Sequence, residues 1–182
     1  MTVVLTFAAG LLLWTFLEYV IHNWLGHLPK GRTLSSREHL RHHSKSDYFS
    51  PLTKKLLAVV PVLSVAVLAV WPVFGLAVGV GLSAGVGAGW LAYEVVHRLI
   101  HVRAPKTAYG RWARRHHLHH HFMRPNVNHG VTTPIWDWVF RTYERPGRIK
   151  VPKKQAPRLP WLHAKDDPTR IAPQFAGDFC LG

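Results

Sequence analysis

Fourteen histidines occur among the 182 residues of this chain, and their placement is more telling than their number. None falls in the apolar runs 3–21 and 56–96. Thirteen stand just after such a run or in the polar stretches up to His129, and the last is His163. Ten of them form four groups. His22 and His27 give HxxxxH, and His39, His42 and His43 give HxxHH. His97 and His101 give HxxxH, and His117, His120 and His121 give a second HxxHH. Residues four apart on a helix share a face, so His97 and His101 can bind one ion or line one pocket. In HxxHH the first two histidines are three apart and the third is adjacent, so one helical turn can present ligands to two neighbouring ions. A tetrahedral zinc uses about four ligands, and ten imidazoles exceed one such site. Two ions with about five ligands each account for the number.

Imidazole suits iron, zinc, copper and nickel alike, and spacing does not choose among them. A zinc hydrolase of the HExxH kind is disfavoured, because the motif is absent and Glu38-His39 has the wrong order. Soluble di-iron bundles bind mostly through glutamate, whereas the carboxylates near these histidines are few: Glu18, Glu38 and Glu94. They fit better as partners that orient an imidazole N–H. Glu18 precedes His22 by four residues and Glu94 precedes His97 by three; Glu38 reads equally well as a solvated charge. His116, His119, His129 and His163 fall outside the spacing pattern and are expected as supporting or surface histidines. Asp137 either holds a ligand histidine or caps a helix. Trp136 and Trp138 either pack the region around the site or touch a substrate.

The elements that must carry these groups follow from the pattern of charge. Hydrophobic residues make up 48% of the chain, yet the formal net charge is +14. The 23 lysines and arginines lie in two blocks, Lys30 to Lys55 and Arg98 to Arg170. Alternating apolar and basic zones predict an all-α integral membrane protein with its basic loops on one face. Anionic lipid headgroups suit that face. No nucleic-acid partner is expected, since long charge-free apolar runs serve none.

Three transmembrane helices are expected, over residues 2–22, 56–71 and 73–93. The first is just long enough to cross roughly 30 Å of hydrocarbon. It lacks the basic n-region and cleavage site of a signal peptide, and reads as a retained membrane helix. The second is short, and Lys54 and Lys55 can snorkel to lengthen its reach. Pro72 marks a turn. The third carries Gly75, Gly79, Gly81, Gly85, Gly87 and Gly89, several of them four apart, a small-residue stripe for close helix approach. Both basic blocks then share one face, cytoplasmic by the positive-inside rule. A histidine-rich helical cap on that face is expected to hold the dinuclear site. The membrane domain is expected over residues 1–145, and residues 146–182 form a basic, proline-rich tail with little regular structure. Cys180 is the one cysteine, so neither an intramolecular disulfide nor a CxxC pair is available.

Taken together, the four boxes resemble those of the fatty acid hydroxylase/sterol desaturase superfamily, membrane di-iron enzymes with HxxxxH, HxxHH, HxxxH and HxxHH in that order. The likeness spans about Glu18 to Thr142, and the stretch Asn128 to Thr142, NHGVTTPIWDWVFRT, is similar to the family's GVTSxxWDxVFGT signature. Tyr93-Glu94 stands where the family often has Tyr-Asp. Arg141 replaces the usual glycine of VFGT, and His129 stands where an aromatic is common. The resemblance implies ligand roles for His22, His27, His39, His42, His43, His97, His101, His117, His120 and His121. Glu18, Tyr93, Glu94 and Asp137 would support them, with no catalytic residue beyond the ligands.

It further implies two iron ions, O₂ as co-substrate and hydroxylation of a C–H bond in a fatty acyl or sterol-like lipid drawn from the bilayer. Zinc can replace iron at histidine sites. No fused haem domain is evident, so electrons are expected from a separate ferredoxin- or cytochrome b5-like protein. The membrane would be a cell inner membrane or the endoplasmic reticulum. The rivals are a carotenoid hydroxylase or lipid desaturase of the same histidine-box type. From another class, a non-catalytic zinc-binding membrane protein would also use these ligands. A transporter, however, should carry ionisable groups inside its spans, and these spans have only Glu18 and Glu94, near their ends.

Overall fold

The structure, a computed structural model, describes residues 1–164, 167 and 169–182. Helix α1 (Thr2–Tyr19) runs on into a π-helical segment (Val20–His27), followed by α2 (Leu34–Ser44), α3 (Leu52–Phe74), α4 (Leu76–Val102), α5 (Ala108–Phe122) and the short α6 (Ile135–Val139). Two strands, β1 (Ile149–Val151) and β2 (Phe179–Leu181), complete the order, with single 3₁₀ turns at Ala156–Arg158 and Pro173–Phe175. Among the described residues, three helices are long and apolar enough to cross a membrane: Thr2–His27, Leu52–Phe74 and Leu76–Val102. Their number is the expected one, and each is longer than its apolar run.

Pro72 does not end the second span. It lies inside α3, as does Pro61. The helix stops instead at Gly75, whose φ of 87° is left-handed and whose N–H still bonds the Trp71 carbonyl at 2.9 Å. Without a Cβ, glycine adopts that backbone at no steric cost and is a common helix stop. Proline is tolerated within membrane helices because local adjustments re-satisfy the freed carbonyl.

The chain divides into two compact units, residues 1–18 with 50–94 and residues 19–49 with 95–182. In the first, Trp14, Val86 and Trp90 form a buried cluster, with Leu17, Val59, Leu63 and Tyr93 packed against it. The glycine stripe of α4 makes this contact close. A Cβ on Gly85 would lie 2.1 Å from the Phe7 carbonyl oxygen, and one on Gly10 would lie 2.2 Å from that of Leu82. The two backbones therefore touch where any larger residue would force them apart. Helix α3 buries none of its residues; a helix apolar on all sides suits a hydrocarbon surround.

In the second unit, Thr33 and Thr107 cap the ligand-rich helices α2 and α5, their side-chain oxygens accepting from Ser36 N at 3.2 Å and Gly110 N at 3.0 Å. The tail is more ordered than its composition suggests. β1 and β2 pair in parallel, Ile149 opposite Phe179 and Val151 opposite Leu181. Ile149, Val151, Leu159, Trp161, Leu162 and Phe179 are buried. Alternation along the strand puts Ile149 and Val151 on one face, and β1 packs on α5. Prolines set the turns between these apolar anchors without preventing their burial.

Candidate metal centre

The second unit gathers ten histidines into two groups of five. His22, His27, His39, His43 and His120 form one; His42, His97, His101, His117 and His121 form the other. Within each, one nitrogen from every ring lies within 4.8 Å of all the rest. The described residues thus bring together all ten imidazoles singled out by spacing, from four separate stretches of chain.

Each stretch places its histidines by its own helical geometry. Residues i and i+5 stand roughly 140° apart on an α-helix of 3.6 residues per turn, which would splay His22 from His27. The π-helical segment removes the difficulty, because its hydrogen bonds run from i to i+5 and stack those residues. The bond from Leu28 N to Asn23 O, 3.0 Å, is of this type. On α2 the i, i+4 pair His39 and His43 enters the first group, while His42 enters the second. On α5 the pair His117 and His121 enters the second and His120 the first. Gly26 makes room for this packing: a Cβ there would lie 2.9 Å from the His39 ring. Ser36 Oγ fastens α2 to the same glycine, donating to the Gly26 carbonyl at 2.6 Å.

Backbone carbonyls fix the ring tautomers. His42 Nδ1 donates to Tyr48 O and His120 Nδ1 to Val127 O, both at 2.7 Å, and His22 Nδ1 donates to the His129 carbonyl. A carbonyl oxygen only accepts, so each Nδ1 carries the proton and each Nε2 is left with a bare lone pair. Yet the Nε2 atoms of His22 and His120 are 3.0 Å apart. Two lone pairs at that distance repel unless a cation lies between them. Other ring nitrogens are spaced alike: 2.9 Å for His27 and His120, 3.0 Å for His42 and His97, and 3.1 Å for His101 and His117. Two nitrogens bound at right angles to one metal, each at about 2.1 Å, stand about 3.0 Å apart. His121 adds a second sign, since both its ring nitrogens are buried without a hydrogen-bond partner. Buried polar atoms are rarely left so, and a metal ion would supply the partner.

Burial, reinforced by repulsion between neighbouring imidazoles, holds His39, His43, His117, His120 and His121 well below the usual histidine range. They are neutral at pH 7, the state that ligates. The donor set, its protonation and its spacing all fit a pair of transition-metal ions.

The other residues singled out in the sequence are placed as follows. Asp137 is buried on α6. It accepts from the backbone N–H groups of His129 and Gly130, each at 2.8 Å, from Thr142 Oγ1 at 2.7 Å and from His116 Nε2 at 3.3 Å. It therefore pins the turn whose His129 carbonyl holds His22. Glu94 takes the Lys55 ammonium at 2.5 Å in the first unit. Tyr93 joins the cluster around Trp14, their ring centroids 5.8 Å apart. Glu18 is buried in the same unit. Glu38 accepts from the Tyr48 hydroxyl at 2.6 Å, and so steadies the residue whose carbonyl orients His42. His116, His119, His129 and His163 lie outside both groups. His119 bonds Glu144 at 2.9 Å, and His163 bonds the Ala156 carbonyl at 2.8 Å. Of the two tryptophans, Trp136 stacks on Phe140 and Trp138 meets Tyr143 edge to face.

The profile of the family described as fatty acid hydroxylase matches residues 7–142. The chain belongs to the fatty acid hydroxylase family. Among curated relatives, the fatty acid 2-hydroxylase of Mus musculus is 32% identical over 148 residues, 75% of this chain and 38% of that protein. A dihydroceramide fatty acyl 2-hydroxylase of Arabidopsis thaliana is 30% identical over 143 residues, 74% of this chain and 59% of that one. The chain thus spans between 38% and 59% of these relatives' lengths. A solved structure of full-length scs7p, in which only the hydroxylase domain is visible, has the same fold. Its TM-score is 0.65 at 24% identity, over 79% of this chain and 57% of that one. All ten histidines of this fatty acid hydroxylase family member lie within the matched range, and the tail from residue 143 lies beyond it.

Proposed function

We propose that this chain hydroxylates an acyl chain of a membrane lipid, at carbon 2, using O₂ and a pair of iron ions held by its ten histidines. The observation that carries the reading is the pair of five-imidazole groups, with rings locked by backbone carbonyls so that bare Nε2 lone pairs converge. The position on the substrate comes from the relatives, both named as 2-hydroxylases. When bound, the two irons supply O₂ reduction and the oxidising power needed to break a C–H bond, with electrons from a separate ferredoxin- or cytochrome b5-like donor.

The chain's own part is to hold and to exclude. His22, His27, His39, His43 and His120 would hold one ion, and His42, His97, His101, His117 and His121 the other. The carbonyls of Tyr48, Val127 and His129 keep three of these rings in the ligating tautomer. The near-complete burial of His101, His117 and His120 keeps water from the reacting centre. His22, His27, His97 and His101 stand in the last turns of span-length helices, so a lipid would present its carboxyl end, and with it carbon 2, from the bilayer. By the positive-inside rule the basic blocks support a cytoplasmic side for this end of the helices, in an inner membrane or the endoplasmic reticulum.

The test is a comparison of lipid extracts from cells making the wild-type chain or a His117→Ala/His121→Ala double variant, by mass spectrometry, with metal analysis of both proteins. Wild type should add the mass of one oxygen to an acyl lipid, fragmenting as a 2-hydroxy acid, and carry two irons. Equal product from the double variant would refute the assignment. Tight zinc in the cell with no oxygenated lipid would favour a non-catalytic zinc protein.

A further inference from the structure

We propose that the C-terminal tail, beyond the stretch that matches the family, clamps the ends of two ligand-bearing helices, with Gln155 and Trp161 as positioning residues for the metal centre. The proposal rests on the metal reading above.

The last carbonyls of a helix have no N–H partners within it. On α2 those carbonyls belong to the turn that carries His42 and His43, and the tail reaches them through one side chain. Gln155 Nε2 donates to the carbonyls of His43 at 3.1 Å and Ser44 at 2.7 Å. Its Oε1 accepts from Ser46 N at 3.2 Å and Ser46 Oγ at 2.8 Å. The amide therefore spends both donor hydrogens and its acceptor on the end of α2, and only one orientation of the amide satisfies all four bonds. Ser46 is wholly buried beneath it.

Helix α4 is closed in the same manner. Trp161 Nε1 donates to the His101 carbonyl at 2.9 Å. Beside it, Arg114 Nε donates to Ile100 O at 3.1 Å and its NH2 to Leu99 O at 3.2 Å, while the guanidinium lies 3.8 Å over the Trp161 ring. Phe175 and Phe179 hold that indole, with centroids 5.1 and 5.4 Å away. Helix ends fray when their terminal groups lack partners and buried contacts, yet a metal ligand must hold its distance to about 0.2 Å. The clamp meets that demand at the two places where a histidine is the residue whose carbonyl is bonded.

The two contacts differ in reach. Helix α2 supplies His39 and His43 to one group and His42 to the other, so Gln155 acts on both ions. His101 belongs to the second group alone, so Trp161 acts on one. The experiment uses the full chain in detergent, loaded anaerobically with ferrous iron, and follows iron release to a chelator. The variants are Gln155→Met, which keeps length but not hydrogen bonds, Gln155→Glu, which keeps the acceptor and loses the donors, and Trp161→Phe, which loses the indole N–H to the His101 carbonyl together with part of the ring beneath Arg114. Both Gln155 variants should release both irons about 10-fold faster or more, in line with the loss of partners that orient ligands. Trp161→Phe should release one iron faster and leave the other at the wild-type rate. Wild-type rates in all three variants would overturn the clamp. Equal acceleration of both irons in Trp161→Phe would overturn it too, by showing general loosening of the fold. If a Gln155 variant fails to fold, Trp161→Phe decides alone. A wild-type chain that binds no iron would instead sink the metal reading.

Discussion

Replacing Gly26 by alanine should weaken metal binding while leaving the metal-free protein nearly as stable as before. Gly26 sits in the π-helical segment, and the added Cβ would stand 2.9 Å from His39 Cδ2 and 3.0 Å from His39 Cγ. Carbon atoms in ordinary contact are about 3.5–4.0 Å apart, so the ring must retreat by roughly 0.5–1 Å. A ligand tolerates only about 0.2 Å. In the metal-free protein His39 can swing aside, and alanine in a helix gains about 0.5–1 kcal/mol over glycine, which offsets most of an overpacking cost of about 1–3 kcal/mol. In the loaded protein the ring cannot swing without leaving its ion. The expected result is an affinity about 10–100-fold lower, the loss typical of a displaced partner around a metal site, with metal-free stability within about 1 kcal/mol of wild type. Iron competition against a calibrated chelator reads the first, and thermal unfolding of the stripped protein the second. Gly177→Ala, where a Cβ meets nothing within 4 Å, is the control. Wild-type affinity for both ions in Gly26→Ala would refute the reasoning.

Two further outcomes follow from the same geometry. Asp137→Asn keeps the shape but turns an amide N–H₂ toward N–H donors, and hydrogen bonds to a charged acceptor are worth about 1.5–3 kcal/mol. The variant should lose about 3 kcal/mol of stability in thermal melts, and its ion bound through His22 should exchange faster; an unchanged melt would show that Asp137 is not the anchor described. The buried histidines make the stripped protein sensitive to acid. Burial, with repulsion between rings, lowers the folded-state pKa of His39, His43, His117, His120 and His121. Below the ordinary value of about 6.5 the unfolded chain then takes up protons that the folded chain refuses. Stability should be full above about pH 6.5 and fall as pH drops toward the depressed values, and melts that match at pH 7.5 and 5 would contradict it.

Side-chain chemistry was the part of the centre most legible in the sequence. The spacing of ten histidines marks four boxes whose number calls for two ions, and HxxHH on a helix implies ligands for both, but the division into two sets of five is not legible there. What escaped was whatever the backbone supplies. The carbonyls of Tyr48, Val127 and His129 orient three rings, and a carbonyl leaves no mark on residue type. The i, i+5 spacing of His22 and His27 makes sense only with a π-helical turn that no local pattern announced. The ion pair of Glu94 with Lys55 joins residues far apart in sequence, and no spacing announces it. Pro72 was read as a turn because proline ends helices in water, whereas here Gly75 performs that role. Arg141 was visible as a departure from a glycine, and its φ of 57° gives the reason glycine is usual there. The tail's prolines and basic residues suggest little regular structure, whereas the apolar residues between them are buried and two short strands pair.

The interleaving of His42 with His39 and His43, and of His120 with His117 and His121, has a consequence for how such a centre can change. With two ions bound as proposed, each of the two helices would grip both, so a shift of either helix would alter both coordination spheres in one movement. Neither ion could then be tuned, loosened or discarded by sliding an element past its neighbours. Divergence in this centre must proceed through single side chains and the carbonyls behind them, with the helices themselves held in common.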